Sequence, residues 1–358
     1  MKYTFPVTRN TNPQPKPPVN DLGFAKYFTD HMFIMHYDED QGWHDGEILP
    51  RGPISLDPAS SVLHYAQMMF EGLKAYKQPD GSVQLFRPDM NAKRLNRTNE
   101  RICMPPLDEE LFLAAVKATV QADIDWVPDG PGTSLYIRPF IFADEISFSV
   151  LPAKHYHFMI ILSPVGSYYA ANDSGLTTTR IYVEDEFIRA AVGGMGFAKV
   201  GGNYAGGMKA SEKAAAYNCR DVLWLDAVEH RYLEEIGTSN AFFVVNGEVI
   251  TSPLTGTILP GVTRDSVLSL LHKWGIPVSE RRLSIEELLQ ASKDGSLQEI
   301  FASGTAAVIS PIGYLYYKGE DITIGNGKVG PIAQRLYDTL YGIQSGKVAD
   351  DMGWTVTL

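Results

Sequence analysis

The segment AAVGGMGFAKVGGNYAGG, from Ala190 to Gly207, is the most distinctive stretch of the sequence. Glycines stand at 193, 194, 196, 201, 202, 206 and 207, around a single lysine, Lys199. Glycine loses the most conformational entropy on folding, so this density indicates backbone that approaches another group closely or takes a positive φ. Lysine readily lowers its pKa when it is desolvated, which suits it to Schiff-base chemistry. A flexible loop with a solvated lysine is the competing interpretation of this segment alone.

The composition is that of a globular protein that can bury a sizeable core. The chain has 358 residues, of which 44% are hydrophobic and 20% are charged, and this length favours two domains. The formal net charge of −11 argues against a nucleic-acid partner or an anionic membrane surface, because both require a basic face. Cys103 and Cys219 are far apart and lack metal-ligand spacing, so we expect reduced thiols and no metal site.

The first 20 residues, MKYTFPVTRNTNPQPKPPVN, are rich in proline and lack the apolar core of a signal peptide. We expect residues 1–20 to form an extended arm. No apolar run approaches the length of a membrane span, since HYHFMIILSPV at 155–165 is only long enough for a strand. These features predict a cytoplasmic protein without a membrane partner.

Residues 1–165 are predicted to form a first domain of mixed α+β structure. LDPASSVLHYAQMMFEGLKAY predicts a helix that is capped by Asp57 or Ser60 and ends near Gly72. RPDMNAKRLNRTNERI and DEELFLAAVKATVQADIDWV predict two further helices. SLYIRPFIFADEI and YHFMIILSPV are typical of buried strands, because they are rich in β-branched and aromatic residues.

The small polar residues GSYYAANDSGLTTTR, at 166–180, indicate the connection between two domains. Residues 181–358 are predicted to form the second domain. In it, NAFFVVNGEVITSP predicts a hairpin with an Asn-Gly turn, and SIEELLQASKDG predicts a helix that is capped by Ser284.

Two groups could act together with Lys199. Tyr204 follows it by five residues, and its phenol could donate to an anionic oxygen in the same cavity. In LEEIGTSNAFFVV, Glu234 and Glu235 end a strand, and strand alternation would turn only one of them inward. A buried carboxylate needs a cationic partner, so an inward Glu235 would require one. The competing interpretations are a half-buried loop tyrosine and a solvated strand end.

Two turns offer backbone amides to an anion. Gly261-Val262-Thr263 comes immediately before a helix, whose first N–H groups have no partner within the helix, and Ser303-Gly304-Thr305 is a hydroxyl-rich turn between apolar runs. Taken singly, each is an ordinary cap or turn. Together with an arginine from the helix at 88–101, they describe a site for one phosphate.

A lysine, a carboxylate, a phenol and a phosphate site are the groups that pyridoxal 5′-phosphate requires. The lysine binds the aldehyde, the acid pairs with the pyridinium nitrogen, and backbone amides and arginine hold the phosphate. The protonated ring accepts electrons when the Cα proton leaves, and the released lysine is the natural base to carry that proton.

Eight segments, in their order and approximate spacing, resemble branched-chain amino acid aminotransferase, a family of fold type IV pyridoxal-phosphate enzymes. They are FTDHM, LHYAQMMFEGLKAY, FRPDMNAKRLNRT, SLYIRPF, KVGGNYAGG, LEEIGTSN, TILPGVTRDS and FASGTAA. The resemblance runs from about residue 20 to 345, and KVGGNY followed by EEIGTSN is its most specific part. It implies an α+β fold with a small α/β N-terminal domain and a larger, β-barrel-like C-terminal domain flanked by helices. It also implies amino transfer between leucine, isoleucine or valine and 2-oxoglutarate.

The resemblance assigns eight residues to the cofactor. Lys199 would form the Schiff base and shuttle the proton, Tyr204 would hydrogen-bond the ring oxygen, and Glu235 would pair with the pyridine nitrogen. The phosphate would be bound by Arg94, by the amides of Val262 and Thr263, and by Thr305, while Thr238 would lie beside the ring or the substrate.

The substrate pocket that the resemblance implies is mostly aromatic, which suits an aliphatic side chain. Its residues would be Phe24, Tyr65, Phe70, Tyr136, Arg138, Tyr168, Thr238 and Ala306. Arg138 and Tyr65 would receive polar groups, which lets the distal carboxylate of glutamate share the site. Phe148 and Val150 match a loop that reaches the other subunit's pocket, so a homodimer is implied.

The chain departs from the family at one place. Animal relatives carry a Cys-x-x-Cys just after SGTA, where this chain has Ala307 and Ser310. We therefore expect no thiol-based redox control of the kind that depends on that pair.

Three other functions are less well supported. D-amino acid transaminases and aminodeoxychorismate lyases share the lysine and glutamate, but SLYIRPF, LHYAQMMFEG and VGSYY favour the branched-chain enzyme. A phosphate-loop interpretation of GGMGFAKVGG fails, because Lys199 is followed by Val200 instead of serine or threonine. The joint presence of Lys199, Tyr204 and Glu235 argues against a non-catalytic binding protein of the same fold.

Overall fold

The computed structural model describes residues 2–166 and 176–358, and its chain divides into two compact units. Unit 1 contains the described residues within 1–168, 198–201 and 343–358, and unit 2 contains those within 169–197 and 202–342. Lys199 therefore belongs to unit 1 as part of the short segment 198–201, whereas Phe197 and Gly202 on either side of that segment belong to unit 2. The domain bounds 1–165, 166–180 and 181–358 stay a prediction.

Along the described part of the chain, strands come mostly in runs of two to four that are separated by one or two helices. In order they are β1 (His31–Asp38), β2 (Gly42–Pro50), α1 (Val62–Tyr65), β3 (Met68–Phe70), β4 (Leu73–Lys77), β5 (Val83–Phe86), α2 (Pro88–Arg101), α3 (Glu109–Ala122), β6 (Ser134–Ala143), β7 (His155–Val165), β8 (Thr179–Glu184), α4 (Gly201–Ala205), α5 (Met208–Ala216), β9 (Asp221–Leu225), β10 (Leu233–Ile236), β11 (Ser239–Val245), β12 (Glu248–Thr251), α6 (Val262–Lys273), β13 (Val278–Glu280), α7 (Ile285–Asp294), β14 (Leu297–Gly304), β15 (Val308–Tyr317), β16 (Glu320–Thr323), α8 (Pro331–Gln344) and β17 (Thr355–Thr357).

Unit 1 is built on an eight-stranded sheet in the order β17-β5-β4-β6-β7-β1-β2, with β3 paired beside β6. Every one of these pairings is antiparallel. The core contains Phe33 and Phe158 from the sheet and Phe112 from α3, all with 0% exposure, and the rings of Phe112 and Phe158 stack. Apolar residues at helical spacing in α3 and at alternate positions in the strands therefore share one interior.

The two longer helices of unit 1 confirm their predictions. Helix α2 begins at Pro88, where the missing amide proton of proline costs no helical hydrogen bond. Helix α3 is capped by Asp108, whose carboxylate accepts hydrogen bonds from the amides of Glu110 and Leu111 at 2.7 and 3.2 Å.

The predicted helix from Asp57 or Ser60 to Gly72 is wrong beyond its first turn. Helix α1 ends at Tyr65, since Ala66 takes a left-handed conformation with φ of 50°. Residues 68–70 instead form β3, which pairs with Phe140, Ile141 and Phe142 of β6. Methionine and phenylalanine suit either structure by propensity, and pairing with a strand more than 60 residues away decides between them.

Unit 2 contains a nine-stranded sheet that closes on itself. The sheet runs β10-β9-β8-β15-β14-β11, and β11 pairs back onto β10, so these six strands form a closed barrel. Strands β8 and β9 are parallel, as are β8 and β15, whereas the other barrel pairings are antiparallel. The predicted α+β class with a barrel in the C-terminal half is therefore confirmed.

The predicted hairpin turn and the predicted helix cap in unit 2 are also confirmed. Asn246 and Gly247 have φ values of 50° and 78° in the β11–β12 turn, as a two-residue hairpin of this type requires. Ser284 caps α7 by accepting a hydrogen bond from the amide of Glu287 at 3.1 Å. Among residues 2–166 and 176–358, no helix has the length and apolar character that crossing a membrane requires.

Candidate active site

Lys199 is fixed through its backbone to two elements of unit 1. Its carbonyl accepts a hydrogen bond from the amide of Phe70 in β3 at 3.1 Å, and its own amide donates to the hydroxyl of Thr98 in α2 at 3.1 Å. Val200 continues this contact through a bridge to Met69. The half-buried Lys199 side chain places Nζ 4.9 Å from the centre of the Phe70 ring. The lysine is therefore held in a defined place, which contradicts the flexible-loop interpretation.

Close approach explains three of the glycines around Lys199. A Cβ at Gly196 would lie 2.5 Å from the carbonyl oxygen of Thr257, and a Cβ at Gly201 would lie 2.7 Å from the sulfur of Met68. Of the seven glycines in this segment, Gly193 alone takes a positive φ, at 81°. A Cβ at Gly194 would lie 2.9 Å from the carbonyl oxygen of Ala191, whereas Gly202 has open space beside it and no explanation in the structure.

Arg94 forms a buried two-point ion pair with Glu71. Its Nε and Nη2 each donate to one carboxylate oxygen at 2.8 Å, and the exposed fractions are 3% for Arg94 and 0% for Glu71. Asn91 and the amide of Gly72 also donate to this carboxylate. Burial alone would raise the pKa of Glu71, but the charge of Arg94 and its hydrogen bonds hold that pKa below its ordinary value. Glu71 thus keeps the guanidinium charged and oriented, one residue after Phe70.

We expect E71Q to lower the free energy of unfolding by about 3–5 kcal/mol at pH 7, because it leaves a buried guanidinium without its counter-charge. Since the pKa of Glu71 is lowered on folding, this stabilisation is present above the ordinary glutamate pKa and is lost as the pH falls through the folded value. Urea denaturation at pH 7 measures it. The matched control is D89N, which breaks the exposed Asp89–Lys93 pair of the same helix and should cost less than about 1 kcal/mol. Equal losses in both variants would contradict this account.

Three of the predicted aromatic residues of unit 1, Phe24, Phe70 and Tyr136, lie together near Arg138. The rings of Phe24 and Tyr136 meet edge to face with centres 5.2 Å apart. The guanidinium carbon of Arg138 lies 4.7 Å from the Phe70 ring centre and 5.3 Å from that of Tyr136, and its Nη2 donates to the Tyr136 hydroxyl at 3.1 Å. A Cβ at Gly72 would lie 2.2 Å from that hydroxyl, so glycine is needed there. Unit 1 thus places apolar rings next to the Arg138 guanidinium. One of these rings, that of Phe70, is also in contact with Lys199.

Tyr65, Phe148 and Val150 form a separate group in unit 1. The hydroxyl of Tyr65 donates to the carbonyl of Phe148 at 2.5 Å. The exposed fractions are 42% for Tyr65, 66% for Phe148 and 79% for Val150. Large apolar side chains with this exposure suit a surface that another protein covers. The predicted pocket residue Tyr168 lies outside the described residues.

Glu235, in β10 of unit 2, is held by several polar contacts. One carboxylate oxygen accepts from Nδ2 of Asn240 at 2.8 Å and from the amide of Leu259 at 3.0 Å. The other lies 2.6 Å from Nε of Arg189, and both side chains are more than nine-tenths buried. The expected cationic partner of an inward Glu235 is therefore Arg189. This arrangement favours a carboxylate that keeps its negative charge.

Glu234 is also buried, so the solvated strand end is wrong for both acids. Its exposed fraction is 7%, and its Oε1 accepts from the hydroxyl of Thr257 at 2.6 Å. Burial raises the pKa of Glu234 to about 7, the hydrogen bond from Thr257 opposes the rise, and the negative Glu235 adds to it. The two neighbouring acids thus occupy different environments.

We expect E234Q to be more stable than the unaltered protein above neutral pH. An unfolded glutamate ionises near 4.5, whereas folded Glu234 keeps its proton up to about pH 7, so stability falls as the pH rises between these values. Glutamine avoids that loss and should gain about 1–3 kcal/mol at pH 8 but little at pH 5. Urea denaturation at both pH values tests this, with E229Q, which changes a half-exposed side chain, as the control. A gain that is the same at both pH values would be the contradictory outcome.

Tyr204 lies in a short helix of unit 2, and Thr238 lies in a turn of the same unit. Tyr204 is half-buried in α4, and its carbonyl accepts a hydrogen bond from the amide of Gly207 at 3.2 Å. Thr238 is exposed in the β10–β11 turn, next to Gly237, which has a φ of 56°. Their roles toward a cofactor stay predictions.

The start of α6 suits an anion. Val262 and Thr263 are its first two residues, and the N-cap residue, Gly261, has no side chain that could cap these first amides. A Cβ at Gly261 would lie 2.1 Å from Oδ1 of Asn240, the residue that also donates to Glu235. Glycine is therefore needed at position 261, because the start of α6 lies close to Asn240, which binds the Glu235 carboxylate. An uncapped helix start fits the phosphate of pyridoxal 5′-phosphate.

The second predicted anion turn connects β14 to β15. Thr305 and Ala306 are half-buried in it. The hydroxyl of Ser303, with 2% exposure, has no hydrogen-bond partner within the described part of the chain. A buried hydroxyl without a partner is costly unless a ligand or water completes it. This turn also fits a phosphate.

Four residues that the sequence did not identify bond to the predicted site residues of their own unit: Glu71 and Thr98 in unit 1, and Arg189 and Asn240 in unit 2. Glu71 offered a signal, since an acid inside the apolar run MMFEGL needs a buried cation. Thr98 lies four residues after Arg94, on the same helix face. Nothing local marks Arg189 or Asn240.

Comparison with known proteins identifies the family of this chain. The family described as Amino-transferase class IV matches residues 68–314. Branched-chain-amino-acid transaminase 1 of Bacillus subtilis (strain 168) is 54% identical over 341 residues, which cover 95% of this chain and 95% of that protein. The Escherichia coli branched-chain amino acid aminotransferase structure matches with a TM-score of 0.74 at 27% identity, over 90% of this chain and 98% of that chain.

The structure of the Thermoproteus uzoniensis branched-chain aminotransferase with norvaline also matches, with a TM-score of 0.74 at 27% identity, over 91% of this chain and 99% of that chain. These matches confirm the predicted resemblance and the predicted fold type. The chain therefore belongs to the class IV aminotransferase family.

Proposed function

We propose that the protein is a branched-chain-amino-acid aminotransferase, which reversibly transfers the amino group between leucine, isoleucine or valine and 2-oxoglutarate. The observation that carries this is identity over nearly the whole length to a relative of that name. The aromatic residues around Arg138 support it, because an apolar wall beside a cation suits both an aliphatic side chain and the distal carboxylate of glutamate. We further propose that the enzyme is a cytoplasmic homodimer, with Phe148 and Val150 reaching the other subunit.

Pyridoxal 5′-phosphate is the cofactor in this proposal. Lys199 would hold it through Schiff-base chemistry, Glu235 would pair with its ring nitrogen and Tyr204 would bond its ring oxygen. Its phosphate would be held by Arg94, by the amides of Val262 and Thr263, and by Thr305, with Thr238 close to the ring. When bound, this cofactor supplies an electron sink for the electron pair that remains when the Cα proton leaves.

The chain's own groups would do the rest. The amine of Lys199 removes the Cα proton and returns it, and the contacts of its backbone with Phe70 and Thr98 keep it in place. Arg189 and Asn240 keep the Glu235 carboxylate oriented and anionic. The rings of Phe24, Phe70 and Tyr136 would exclude water from the aliphatic side chain, while Arg138 and Tyr65 would receive polar groups.

Transfer of ¹⁵N tests the proposal directly. With ¹⁵N-leucine and 2-oxoglutarate, we expect the enzyme to form ¹⁵N-glutamate, and isoleucine or valine should replace leucine. ¹⁵N-D-alanine, a donor of the opposite configuration at Cα, should give no labelled product. Transfer from D-alanine but not from leucine would replace this proposal with a D-amino acid transaminase.

A further inference from the structure

Unit 2 contains a cavity of about 300 Å³ that the proposed chemistry does not use. It lies between β10, the turn at 226–232 and the segment at 252–258. Its size is at the lower end for small-molecule sites, so it suits a compact ligand. Val192 and Val228 contribute apolar walls, with exposed fractions of 72% and 81%. Glu234 and Thr257 supply polar groups to the same lining.

Glu234 has one carboxylate oxygen that nothing in the described part of the chain satisfies. Oε1 accepts from the Thr257 hydroxyl at 2.6 Å, whereas Oε2 is buried without a hydrogen-bond partner among the described residues. The backbone of Thr257 is held in place, because its carbonyl accepts from Nη1 of Arg189 at 2.6 Å. The side chain is more than nine-tenths buried. A carboxylate fixed in this way calls for one further hydrogen-bond donor.

The charges around the cavity favour a cation. Three acids, Asp226, Glu229 and Glu234, line it with one arginine, Arg282. Arg282 is held at the rim, where its guanidinium lies 3.4 Å from the centre of the Tyr232 ring, and its Nη2 lies 3.6 Å from Asp226 and 3.4 Å from Glu229.

The other acids of the lining already have partners. Asp226 is occupied by the amides of Val228, Glu229, Arg231 and Tyr232, which it holds in the turn. Glu229 is half-exposed and shares Arg282. Glu234 is thus the buried acid of this cavity with one oxygen that no group among the described residues satisfies, and it carries its negative charge above its pKa of about 7. Arg189, whose charge also acts on Glu234, is paired with Glu235.

We propose that this cavity is a binding site for a small organic cation, an alkylammonium or alkylguanidinium compound, with Glu234 as its counter-charge. One N–H of the cation would donate to Oε2 of Glu234, and a short branched alkyl group would pack against Val192 and Val228. The site is independent of the proposed amino transfer, because it requires neither Lys199 nor Glu235.

Calorimetric titration of the holoenzyme with isobutylguanidinium at pH 8, above the pKa of Glu234, tests the site. This probe carries the charge, the N–H donors and the alkyl group, and unlike a primary amine it does not compete with Lys199 for an aldehyde. Isobutylurea is the matched neutral probe. The matched variants are E234Q, which removes the buried charge, and E229Q, which removes a charge at the rim.

We expect saturable binding of isobutylguanidinium, at least about tenfold weaker binding to E234Q, and a change of less than about threefold for E229Q. Isobutylurea should bind at least about tenfold more weakly than the cation. Equal affinity of E234Q and the unaltered protein, equal affinity of the two probes, or no saturation below about 20 mM, as for a cavity filled only by water, would each overturn the proposal. Labelled amino transfer is measured separately, so failure of this site leaves the proposed function standing.

Discussion

The K199A variant is expected to lose transamination between leucine and 2-oxoglutarate by about 10²–10⁴-fold, which is the range that a general acid–base group contributes. The amine of Lys199 is the group proposed to bind the cofactor and to carry the Cα proton. Its backbone is fixed by Phe70 and Thr98, and those hydrogen bonds do not involve the side chain. Alanine should therefore remove the chemistry while the fold is kept.

The matched control for this loss is K209A. Lys209 lies ten residues further along, in α5, and its exposed side chain pairs with Glu212 at 2.6 Å. Its removal should change the rate by less than about twofold, since exposed pairs contribute little. Both variants should show the urea denaturation midpoint of the unaltered protein. Full activity in K199A would mean that another group carries the proton, and the proposed mechanism would be wrong.

The second large effect is expected from E235Q, which should lower the turnover rate by about 10²-fold or more. Glutamine keeps the shape of the side chain but removes the negative charge proposed to pair with the ring nitrogen. It also leaves the buried Arg189 without its counter-charge, so some loss of stability accompanies the change. The rate must therefore be measured per folded enzyme, well below the denaturation midpoint.

The E299Q variant separates the loss of turnover rate from the loss of stability. Glu299 is buried in the same unit and accepts hydrogen bonds from the amides of Ile332 and Ala333 at the start of α8, both at 2.9 Å. Its replacement should reduce stability but leave the rate per folded enzyme within about threefold. If E235Q and E299Q lost activity in proportion to their stability alone, Glu235 would have only a structural role.

Local signals in the sequence were sufficient for much of the fold. Pro88 and Asp108 mark the starts of two helices, Ser284 that of a third, and Asn246-Gly247 a hairpin turn. Each acts through backbone groups a few residues away, so its effect can be predicted from neighbours. The barrel rested on family resemblance instead, because its closure depends on β10 pairing with both β9 and β11.

The sequence was least informative where distant segments compete or pair. At 68–70 the local pattern predicted a helix, but strand pairing with β6 and the amide of Phe70 bonding to Lys199 favour a strand. The partner of Glu235 could be expected to be a cation, yet nothing local distinguishes Arg189, 46 residues earlier, from the other arginines. Charge balance in a buried site is a three-dimensional property, so it becomes visible only in the folded chain.

The central claim, that Lys199 works with pyridoxal 5′-phosphate on branched-chain amino acids, is tested most directly by visible absorption. The purified protein should show a cofactor band that falls when leucine is added and returns when 2-oxoglutarate follows. K199A should not reproduce this cycle at a comparable rate. A band that leucine leaves unchanged, or no band after pyridoxal 5′-phosphate is supplied, would contradict the account.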